Sequence, residues 1–597
     1  MGMFSNVLDM VSVLAKAAKI KPLPKDTKLS LGLLVEQRAA ETPDNLMCIF
    51  EGRSVSWYEF NALANRIAYF LKTAGIEKGD TVALLMDNRI ENMACVTALC
   101  KLGAVAAMIN TSLTEKPLLH CITAVSSKKV IVGQELQHPL EAINAELGFA
   151  KSDILWVPDL TGSEQQRVPD WVVPLQLDGQ PEINPADTRQ VQLKDLAYYI
   201  FTSGTTGLPK ASLISHDRHY RMSLGFASVL FDLQPSDRIY ACLPLYHSSG
   251  MFIEFGSICH VGASMFLRRK FSASNFLKEA REYDTNCFAY IGELCRYLLN
   301  QAAHPDDYDN PIKKCVGNGL RPDIWLEFKN RFGIDRIGEF YGASEGNAGC
   351  VNAFNKDKTV GFCAVKHALV RYDVLNDELI KEARGYCQKV VKGEPGLMLI
   401  EISDKAVFDG YADPSATQKK VLTDVFKKGD RYFNTGDLLK QVDVGFTFGL
   451  PHYQFVDRVG DTYRWKGENV STNEIGEIIN GADSVAYCNV YGVQLPGTDG
   501  RAGMVAIAPK NGELDVAKIS AHIMNKVPSY ARPIFIRQVQ EMDTTGTFKM
   551  KKGELREQAY HLDKCNEPVF VLKPDATEYV PLDEEFYSLL MNSAAGY

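Results

Sequence analysis

Short apolar segments alternate with helix-patterned segments along the first part of this 597-residue chain. The stretch from Ser56 to Gly75 has apolar residues at helical spacing, with a capping box at Ser56 and Glu59. It is followed by TVALLMDN as a strand, a helix over 89–102, AVAAMIN as a strand, a helix over 115–124 and KKVIVG as a strand. This alternation predicts right-handed βαβ units and therefore an α/β fold with a parallel sheet.

Further strands end in turns made of small and polar residues. AYYIF stops at Thr202, KKCV runs into Gly317, Asn318 and Gly319, and RIGEF runs into YGASEG. The pattern also predicts strands at RIYAC and CFAYIG and helices over 217–231, 275–283 and 322–332. Ligands bind at the carboxyl ends of strands in open α/β sheets, so we expect these turns to meet at one site.

The chain is too long for one core, and its composition changes near Arg458. Beyond that point STNEIGEIINGA, YCNVYGVQL, AGMVAIAP, DVAKISAHIMNKV and IFIRQVQ alternate as helices and short strands. We therefore expect an amphipathic segment over 1–27, a large domain over 28–458 and a small α+β domain over 459–597. Residues 160–195 are polar and contain four prolines, which indicates a long surface connection.

The overall charge and the cysteines exclude some classes of protein. A net charge of −8 and a pI near 5.9 disfavour a nucleic-acid binder, which needs a surplus of Lys and Arg. The 14 cysteines form no C-x-x-C pair, so neither a zinc ribbon nor a disulfide framework is indicated. Free thiols are typical of a reducing compartment, and we expect a cytoplasmic protein.

No apolar run approaches the roughly 18 residues that span a bilayer. Residues 1–20 nevertheless have apolar side chains at helical spacing, and lysines follow at positions 16, 19, 21 and 25. This pattern is typical of a helix that lies on a membrane surface, here the inner face of a membrane. A helix docked on its own protein is the alternative.

The stretch from Thr202 to Lys210, here called the phosphate segment, suits an anion. Its glycines allow successive N–H groups to surround a phosphate, and its hydroxyls and lysine add donors and charge. The candidate phosphate ligands are Thr202, Ser203, Gly204, Thr205, Thr206, Gly207 and Lys210. It is not a Walker A loop, because Pro209 and Ala211 replace the required glycine and hydroxyl residue. A Gly/Thr-rich linker is the alternative.

TSGTTGLPK resembles the phosphate loop of the acyl-adenylate-forming enzymes, the superfamily of acyl-CoA synthetases, luciferases and peptide-synthetase adenylation domains. YGASEG resembles the superfamily's Y-G-x-[ST]-E element. The resemblance implies that Tyr341 stacks on adenine, that Gly342 and Ser344 lie by the nucleotide, and that Glu345 holds Mg²⁺ with Thr202. It also implies a large adenylate-forming domain of βαβ layers with a small, mobile C-terminal domain.

Other blocks resemble further parts of that active site. FNTGDLL matches the T-G-D element and implies that Asp437 binds the ribose, while Arg458 would reach the ribose or phosphates. Gly317, Asn318 and Gly319 sit where relatives line the adenine pocket. LPLYHSSG implies that His247 lies beside the acyl site; without the resemblance, a structural histidine would be the simpler interpretation.

The resemblance also implies a moving part. The superfamily rotates its small domain about a hinge, which aligns with Gly460, and a lysine of that domain enters the site during adenylation. TTGTFKMKKGELR makes Lys549 the expected lysine. Its neighbours Lys551 and Lys552 are either solvated surface charges or substitutes for it.

YIGELCRYLLNQ, GNGLRPDIWLEF, FYGASEGN and DRVGDTYRWKGENVSTNEI resemble the fatty acid transport protein and very-long-chain acyl-CoA synthetase branch. This implies ligation of long or very long fatty acids to coenzyme A, with ATP and Mg²⁺. Bile acids, carnitine-like acids and loading of a carrier protein are alternatives. A phosphotransferase and a non-catalytic membrane scaffold are the rivals from other classes.

Overall fold

The computed structural model describes residues 3–161, 168–202, 208–373, 378–465, 468–498, 500–544 and 550–597, with the backbone alone at 3–6, 19 and 469. The chain divides into two compact units that are discontinuous in sequence. The first comprises Met1–Leu320, Leu326–Ala364 and Ile402–Lys420, and the second comprises Arg321–Trp325, Val365–Glu401 and Val421–Tyr597. The domain boundaries expected at residues 27 and 458 stay a prediction.

The first unit contains a nine-stranded sheet whose central strands are parallel. Its strands, in spatial order, are Phe362–Cys363, Cys350–Val351, Arg336–Tyr341, Lys314–Asn318, Cys287–Ile291, Arg238–Ala241, Ser264–Leu267, Leu46–Phe50 and Arg53–Ser56. The pairings are parallel from Arg336–Tyr341 through to Leu46–Phe50, and the edge strands pair antiparallel.

A seven-stranded sheet completes the strands of this unit. In spatial order it consists of Val173–Pro174, Ile154–Val157, Lys129–Gly133, Thr81–Leu85, Val105–Met108, Leu196–Thr202 and Lys210–Ser215. Only the last pair is antiparallel. The central strands are buried along their whole length, as the near-continuous apolar runs of the sequence require. The predicted α/β fold with parallel sheets is confirmed.

The helices of the first unit connect and cover these strands. They are Met3–Lys19, Leu31–Glu41, Trp57–Thr73, Ile90–Leu102, Glu115–Thr123, Gln137–Leu147, His216–Gly225, Ser257–Val261, Phe276–Glu282, Gly292–Leu299, Pro414–Lys419 and, except for its first residue, Trp325–Arg331. The capping box of Ser56 and Glu59 is formed in both directions. The predicted βαβ elements before residue 135 are confirmed to within a few residues. The helix expected over 322–332 begins only at Trp325, after a turn.

The helix predicted over 217–231 changes character before its end. It is α-helical over His216–Gly225 and π-helical over Phe226–Leu230. The Arg336 side chain donates to the carbonyls of Val229 and Leu230, at 2.8 and 2.6 Å. These bonds satisfy carbonyl groups at the helix end, which stabilises the local widening of the helix.

The second unit contains two five-stranded sheets. The first, antiparallel throughout, consists of His367–Val370, Gly396–Glu401, Arg431–Val442, Val421–Thr423 and His452–Arg458. The second consists of Val485–Val493, Ala502–Pro509, Phe535–Gln538, Val569–Val571 and Val580–Pro581. Its helices are Thr472–Asn480, Val516–Lys526, Gly553–Gln558 and Glu584–Met591, and its short hairpins pair Tyr372–Asp373 with Glu378–Leu379 and Tyr463–Trp465 with Glu468–Val470. The α+β character predicted beyond residue 458 is confirmed.

The N-terminal helix contacts its own chain along one side. Met10 and Val13 are buried, the helix packs on the π-helical segment Phe226–Leu230, and Lys16 Nζ lies 2.7 Å from the Asp232 carboxylate. These contacts support the alternative that the helix docks on its own protein, for that side of the helix. Among the described residues, no helix combines the length and apolar character needed to cross a membrane.

Two buried histidines of the first unit make its stability sensitive to acid. Burial lowers the pKa of both His216 and His260 to about 4, against about 6.5 in an unfolded chain. Below pH 6.5 the unfolded chain therefore takes up protons that the folded chain binds only near pH 4, so stability falls across this window. At pH 5 each histidine should cost about 2 kcal/mol of unfolding free energy relative to pH 7.

Urea unfolding of the parent and of His216→Phe at pH 7 and pH 5 measures this effect. We expect the parent to lose more stability on acidification than the variant, because phenylalanine cannot take up a proton. An equal loss in both proteins would contradict the burial argument for His216.

Candidate active site

Two motif-bearing turns leave neighbouring strands of the nine-stranded sheet. Lys314–Asn318 and Arg336–Tyr341 are parallel, with Gly317 opposite Glu339. The turn at Gly319 and the YGASEG turn, Tyr341–Gly346, therefore begin at the same edge of the sheet. This part of the predicted convergence of turns is confirmed. Asn318 and Tyr341 are half-buried, while Gly319 and Gly342 are exposed.

The phosphate segment lies at the end of a strand pair in the seven-stranded sheet. Thr202 ends the strand Leu196–Thr202 and pairs in register with Lys210. Ser203, Gly204, Thr205, Thr206 and Gly207 lie outside the described residues. The Nε2 atom of His120 donates to the Pro209 carbonyl at 3.1 Å. The helix Glu115–Thr123 therefore contacts the C-terminal end of the phosphate segment.

Tyr411 connects the strand that follows the phosphate segment to the YGASEG turn. Its backbone bridges to Ser212 in that strand, and its hydroxyl donates to Glu345 Oε1 at 2.9 Å. Burial, and secondly the Glu345 carboxylate, raise the pKa of Tyr411, so the hydroxyl stays a donor at neutral pH. Glu345 thus has a fixed orientation relative to the strand beginning at Lys210.

Arg218 lies in the helix after that same strand and holds the YGASEG backbone. Its guanidinium donates to the carbonyls of Ala343, Glu345 and Gly346 at 3.4, 3.2 and 2.6 Å. Burial lowers the pKa of Arg218, and the nearby carboxylates of Asp409 and Glu345 oppose that shift. The planar fork of donors makes arginine suited to hold several carbonyls at once.

The LPLYHSSG block also contacts the YGASEG turn. The Ser248 and Ser344 hydroxyl oxygens lie 2.8 Å apart, and His247 Nδ1 lies 3.1 Å from Ser249 Oγ. The structure therefore places His247 one residue from a side chain that touches the turn.

Two buried side chains hold the backbone that leads into this block. Glu254 accepts from the N–H groups of Cys242 and Leu243, at 3.0 Å each. Asn88 donates to the Leu243 carbonyl and accepts from the Leu245 N–H, at 2.9 Å each. Burial raises the pKa of Glu254 well above its usual range, and the two backbone N–H donors oppose that shift.

In the second unit, the predicted ribose ligand and its arginine lie on paired strands. Asp437 and Arg458 are directly opposite each other, and Arg458 Nε lies 3.9 Å from Asp437 Oδ1. Arg458 is about half exposed and Asp437 only 15% exposed. The structure therefore places these two predicted ligands next to each other.

The segment after Arg458 is anchored to the C-terminal part of the second unit. Asp461 lies 2.9 Å from Arg556 and 3.8 Å from Lys552, and Lys552 Nζ donates to Thr472 Oγ1 at 2.7 Å. A Cβ atom at Gly460 would meet nothing within 4 Å, so packing does not require a glycine there.

The lysine predictions have different outcomes. Lys549 lies outside the described residues. Lys551 is exposed, as a solvated charge would be, whereas Lys552 is mostly buried and bonded, so its interpretation as a solvated charge is wrong.

Sequence patterns did not single out five of the side chains that hold these motifs: His120, Arg218, Tyr411, Asn88 and Glu254. Each reaches a motif through tertiary contacts, and none belongs to a short motif of its own.

Comparisons with known proteins match most of the chain. The family model described as AMP-binding enzyme matches residues 35–412, and that described as AMP-binding enzyme C-terminal domain matches residues 474–549. The medium/long-chain-fatty-acid–CoA ligase FadD6 of Mycobacterium tuberculosis is 39% identical over 94% of this chain and 91% of its own. The long-chain fatty acid transport protein 6 of Mus musculus is 39% identical over 92% of this chain and 88% of its own.

A solved structure shares the fold. The crystal structure of the anthranilate CoA ligase AuaEII in complex with anthranoyl-AMP has a TM-score of 0.73 and 23% identity, and the match covers 90% of this chain and 98% of that one. The resemblance inferred from the phosphate segment and the YGASEG turn is confirmed. On the family match and the identity to its relatives, this chain belongs to the AMP-binding enzyme family.

Proposed function

We propose that this chain ligates a long-chain or very-long-chain fatty acid to coenzyme A, using ATP and releasing AMP and pyrophosphate. The observation that carries the proposal is the contact between Tyr411 and Glu345, which orients the motif carboxylate relative to the strand leaving the phosphate segment. The names of its relatives, a fatty-acid–CoA ligase and fatty acid transport proteins, support the choice of substrate.

The reaction proceeds in two steps. A carboxylate oxygen attacks the α-phosphorus of ATP, so that an O–P bond forms, the bond to pyrophosphate breaks and acyl-AMP results. The thiol of coenzyme A then attacks the acyl carbonyl, the thiol proton is lost, and AMP departs with its electron pair. The first step is needed because hydroxide is too poor a leaving group for a thiol to displace directly.

The first unit supplies the groups for phosphate and metal. Glu345 and Thr202 offer the oxygen ligands that Mg²⁺ prefers, and this ion would neutralise charge on the triphosphate. Residues 203–207, with Lys210 and Ser344, would bind the phosphates through backbone N–H groups, hydroxyls and charge. Arg218 and Tyr411 would keep Glu345 in place.

The remaining roles concern adenosine and the acyl group. Tyr341 and Gly342, with the stretch 317–319, would contact adenine, and Asp437 would accept from both ribose hydroxyls. Arg458 would bind the ribose or phosphates, and His247 would lie beside the acyl group. Lys549 would stabilise charge in the adenylation step, and Gly460 would serve as the hinge.

A pyrophosphate-release screen tests the proposal. Acids from acetate to very long chains are supplied with ATP, with and without coenzyme A, beside bile acids, carnitine-like acids and an acyl carrier protein. Each buried CH₂ adds about 0.8 kcal/mol of binding, so we expect kcat/KM to rise up to chains of roughly C14 or longer. A maximum at acetate or propionate, or thioester formation only on the carrier protein, would contradict the proposal.

We also propose that the N-terminal helix contacts an anionic membrane surface through its outer side. Leu8 and Val11 are 66% and 49% exposed, and Ala15 and Ala18 continue the same exposed stripe. Lysines 21, 25 and 28 follow and are also exposed. An exposed apolar stripe next to lysines is complementary to an anionic lipid surface.

The double variant Leu8→Ser/Val11→Ser tests this contact. We expect its partition coefficient onto vesicles that contain both anionic and zwitterionic phospholipid to fall by about tenfold, because apolar area is lost from the lipid interface. Activity on detergent-solubilised fatty acid should not change. Leu160→Ser/Ile183→Ser removes similarly exposed apolar side chains elsewhere and is the matched control. Vesicle binding equal to that of the parent would show that the helix only docks on its own protein.

A further inference from the structure

Glu339 is a buried carboxyl group at the edge of the sheet where the two motif-bearing turns begin. It is 1% exposed and lies two residues before Tyr341. It accepts three hydrogen bonds: from the hydroxyl of Tyr290, and from the backbone N–H groups of Gly319 and Leu320 at 2.5 and 3.2 Å. All the atoms of this cluster belong to the first unit.

The register of the sheet explains how Tyr290 reaches Glu339. Tyr290, Gly317 and Glu339 lie opposite one another on three successive parallel strands and therefore face the same side. Gly317 has no side chain, so the tyrosine passes over the middle strand. A Cβ atom at Gly317 would lie 2.6 Å from the Tyr290 ring.

The two backbone donors fix the turn after the middle strand. Gly319 has a φ of +87°, a conformation that favours glycine. A Cβ atom at Gly292 would collide with the Gly319 carbonyl, so the turn packs directly on the start of the preceding helix, Gly292–Leu299. Glu339 thus forms hydrogen bonds with the N–H groups of the turn, while Gly292 packs against the carbonyl of Gly319.

An apolar side chain at position 339 would be buried at a lower free-energy cost than a carboxyl group. Burial raises the pKa of Glu339 to about 8, although the three hydrogen bonds oppose the shift. A buried carboxyl with so perturbed a pKa, at the sheet edge where two motif-bearing turns begin, is a candidate for a functional position.

We propose that Glu339, held by Tyr290, is a positioning residue that sets the separation between the Gly317–Leu320 backbone and Tyr341 to fit adenine. The inference rests on the adenine roles proposed above for these two segments. Glu339 itself does not contact the nucleotide; it acts through the turn on one side and through its own strand on the other.

Three variants and one matched control test the inference. Glu339→Leu removes every acceptor, Glu339→Gln keeps one, and Tyr290→Phe removes the supporting hydroxyl. The control is Tyr240→Phe. Tyr240 lies on another strand of the same sheet and also donates to a buried carboxylate, that of Glu279 in the helix Phe276–Glu282, at 2.7 Å.

The readouts are AMP binding by calorimetry, the KM for ATP, kcat at saturating ATP and inhibition by tripolyphosphate. For Glu339→Leu we expect AMP affinity to fall and the ATP KM to rise by about tenfold, with kcat little changed. Glu339→Gln should recover most of the loss, and Tyr290→Phe should show a smaller loss in the same direction. Tripolyphosphate inhibition should not change, because it does not use the adenine contacts. Tyr240→Phe should leave all four values at those of the parent.

AMP affinity within twofold of the parent in Glu339→Leu and Tyr290→Phe would overturn the inference. So would an equal loss in Tyr240→Phe, which would reveal a general effect on the sheet. If Glu339→Leu does not fold, the result for Tyr290→Phe decides alone.

Failure of the proposed function is distinguishable from failure of this inference. A parent protein that binds AMP but forms no acyl-AMP contradicts only the proposed function, because the calorimetric comparison needs no turnover. A parent that binds no AMP contradicts both.

Discussion

Replacing Glu345 with alanine is expected to reduce acyl-adenylate formation by about a thousandfold or more. The metal ion would lose a ligand, and the triphosphate would lose its alignment with the carboxylate. The hydrogen bond from Tyr411 and the carbonyl contacts of Arg218 would then hold a turn without its functional group. Fatty-acid-dependent exchange of labelled pyrophosphate into ATP measures this step without coenzyme A.

Two further variants make the Glu345 test specific. Tyr411→Phe removes one hydrogen bond to the carboxylate and should cost about tenfold, since hydrogen bonds to charged groups contribute about 1.5–3 kcal/mol. Glu327→Ala removes an exposed carboxylate from the helix Trp325–Arg331 and should leave the exchange rate unchanged. Adenosine binding should largely survive in all three. Exchange at the parent rate in Glu345→Ala would show that the metal assignment is wrong.

Replacing Lys549 with alanine is expected to slow adenylation by roughly a hundredfold or more, by analogy with the loss of one preorganised donor. Thioester formation from chemically made acyl-AMP and coenzyme A should be spared, because in this account the lysine serves the first step only. The two half-reactions are measured separately on the same preparation.

Lys551 and Lys552, the neighbours of Lys549, provide variants for comparison. Lys551→Ala removes an exposed charge and should change neither half-reaction. Lys552→Ala breaks the contacts with Thr472 and Asp461 and should lower stability. If Lys549→Ala loses thioester formation as severely as adenylation, Lys549 does not serve the first step alone, and Lys551 or Lys552 becomes the next candidate.

Local patterns were sufficient to predict much of the first unit. The capping box at Ser56 and the apolar segments at TVALL and KVIVG depend on neighbours along the chain, and the structure has these elements where the sequence predicts them. The antiparallel sheet between His367 and Arg458 was not predicted. Its strands are half-exposed in places and pair over long separations, so no local periodicity distinguishes them.

The motifs of the site were predictable, but the groups that hold them were not. Tyr411 is 66 residues from Glu345, and Arg218 is 127 residues from the carbonyl of Glu345 to which it donates. A buried tyrosine or arginine of this kind has the same appearance in the sequence as an ordinary core or surface residue. Only the folded chain shows that these side chains meet a motif.

In the proposed reaction the fatty acid is activated by transfer to AMP. Ligation of a long-chain fatty acid whose carboxyl oxygens carry ¹⁸O tests it most directly, with the AMP product analysed by mass spectrometry. Because a carboxylate oxygen bonds to the α-phosphorus and stays there when the thiol attacks, we expect one ¹⁸O atom in each AMP formed with a thioester. Unlabelled AMP, or ADP as the nucleotide product, would contradict it.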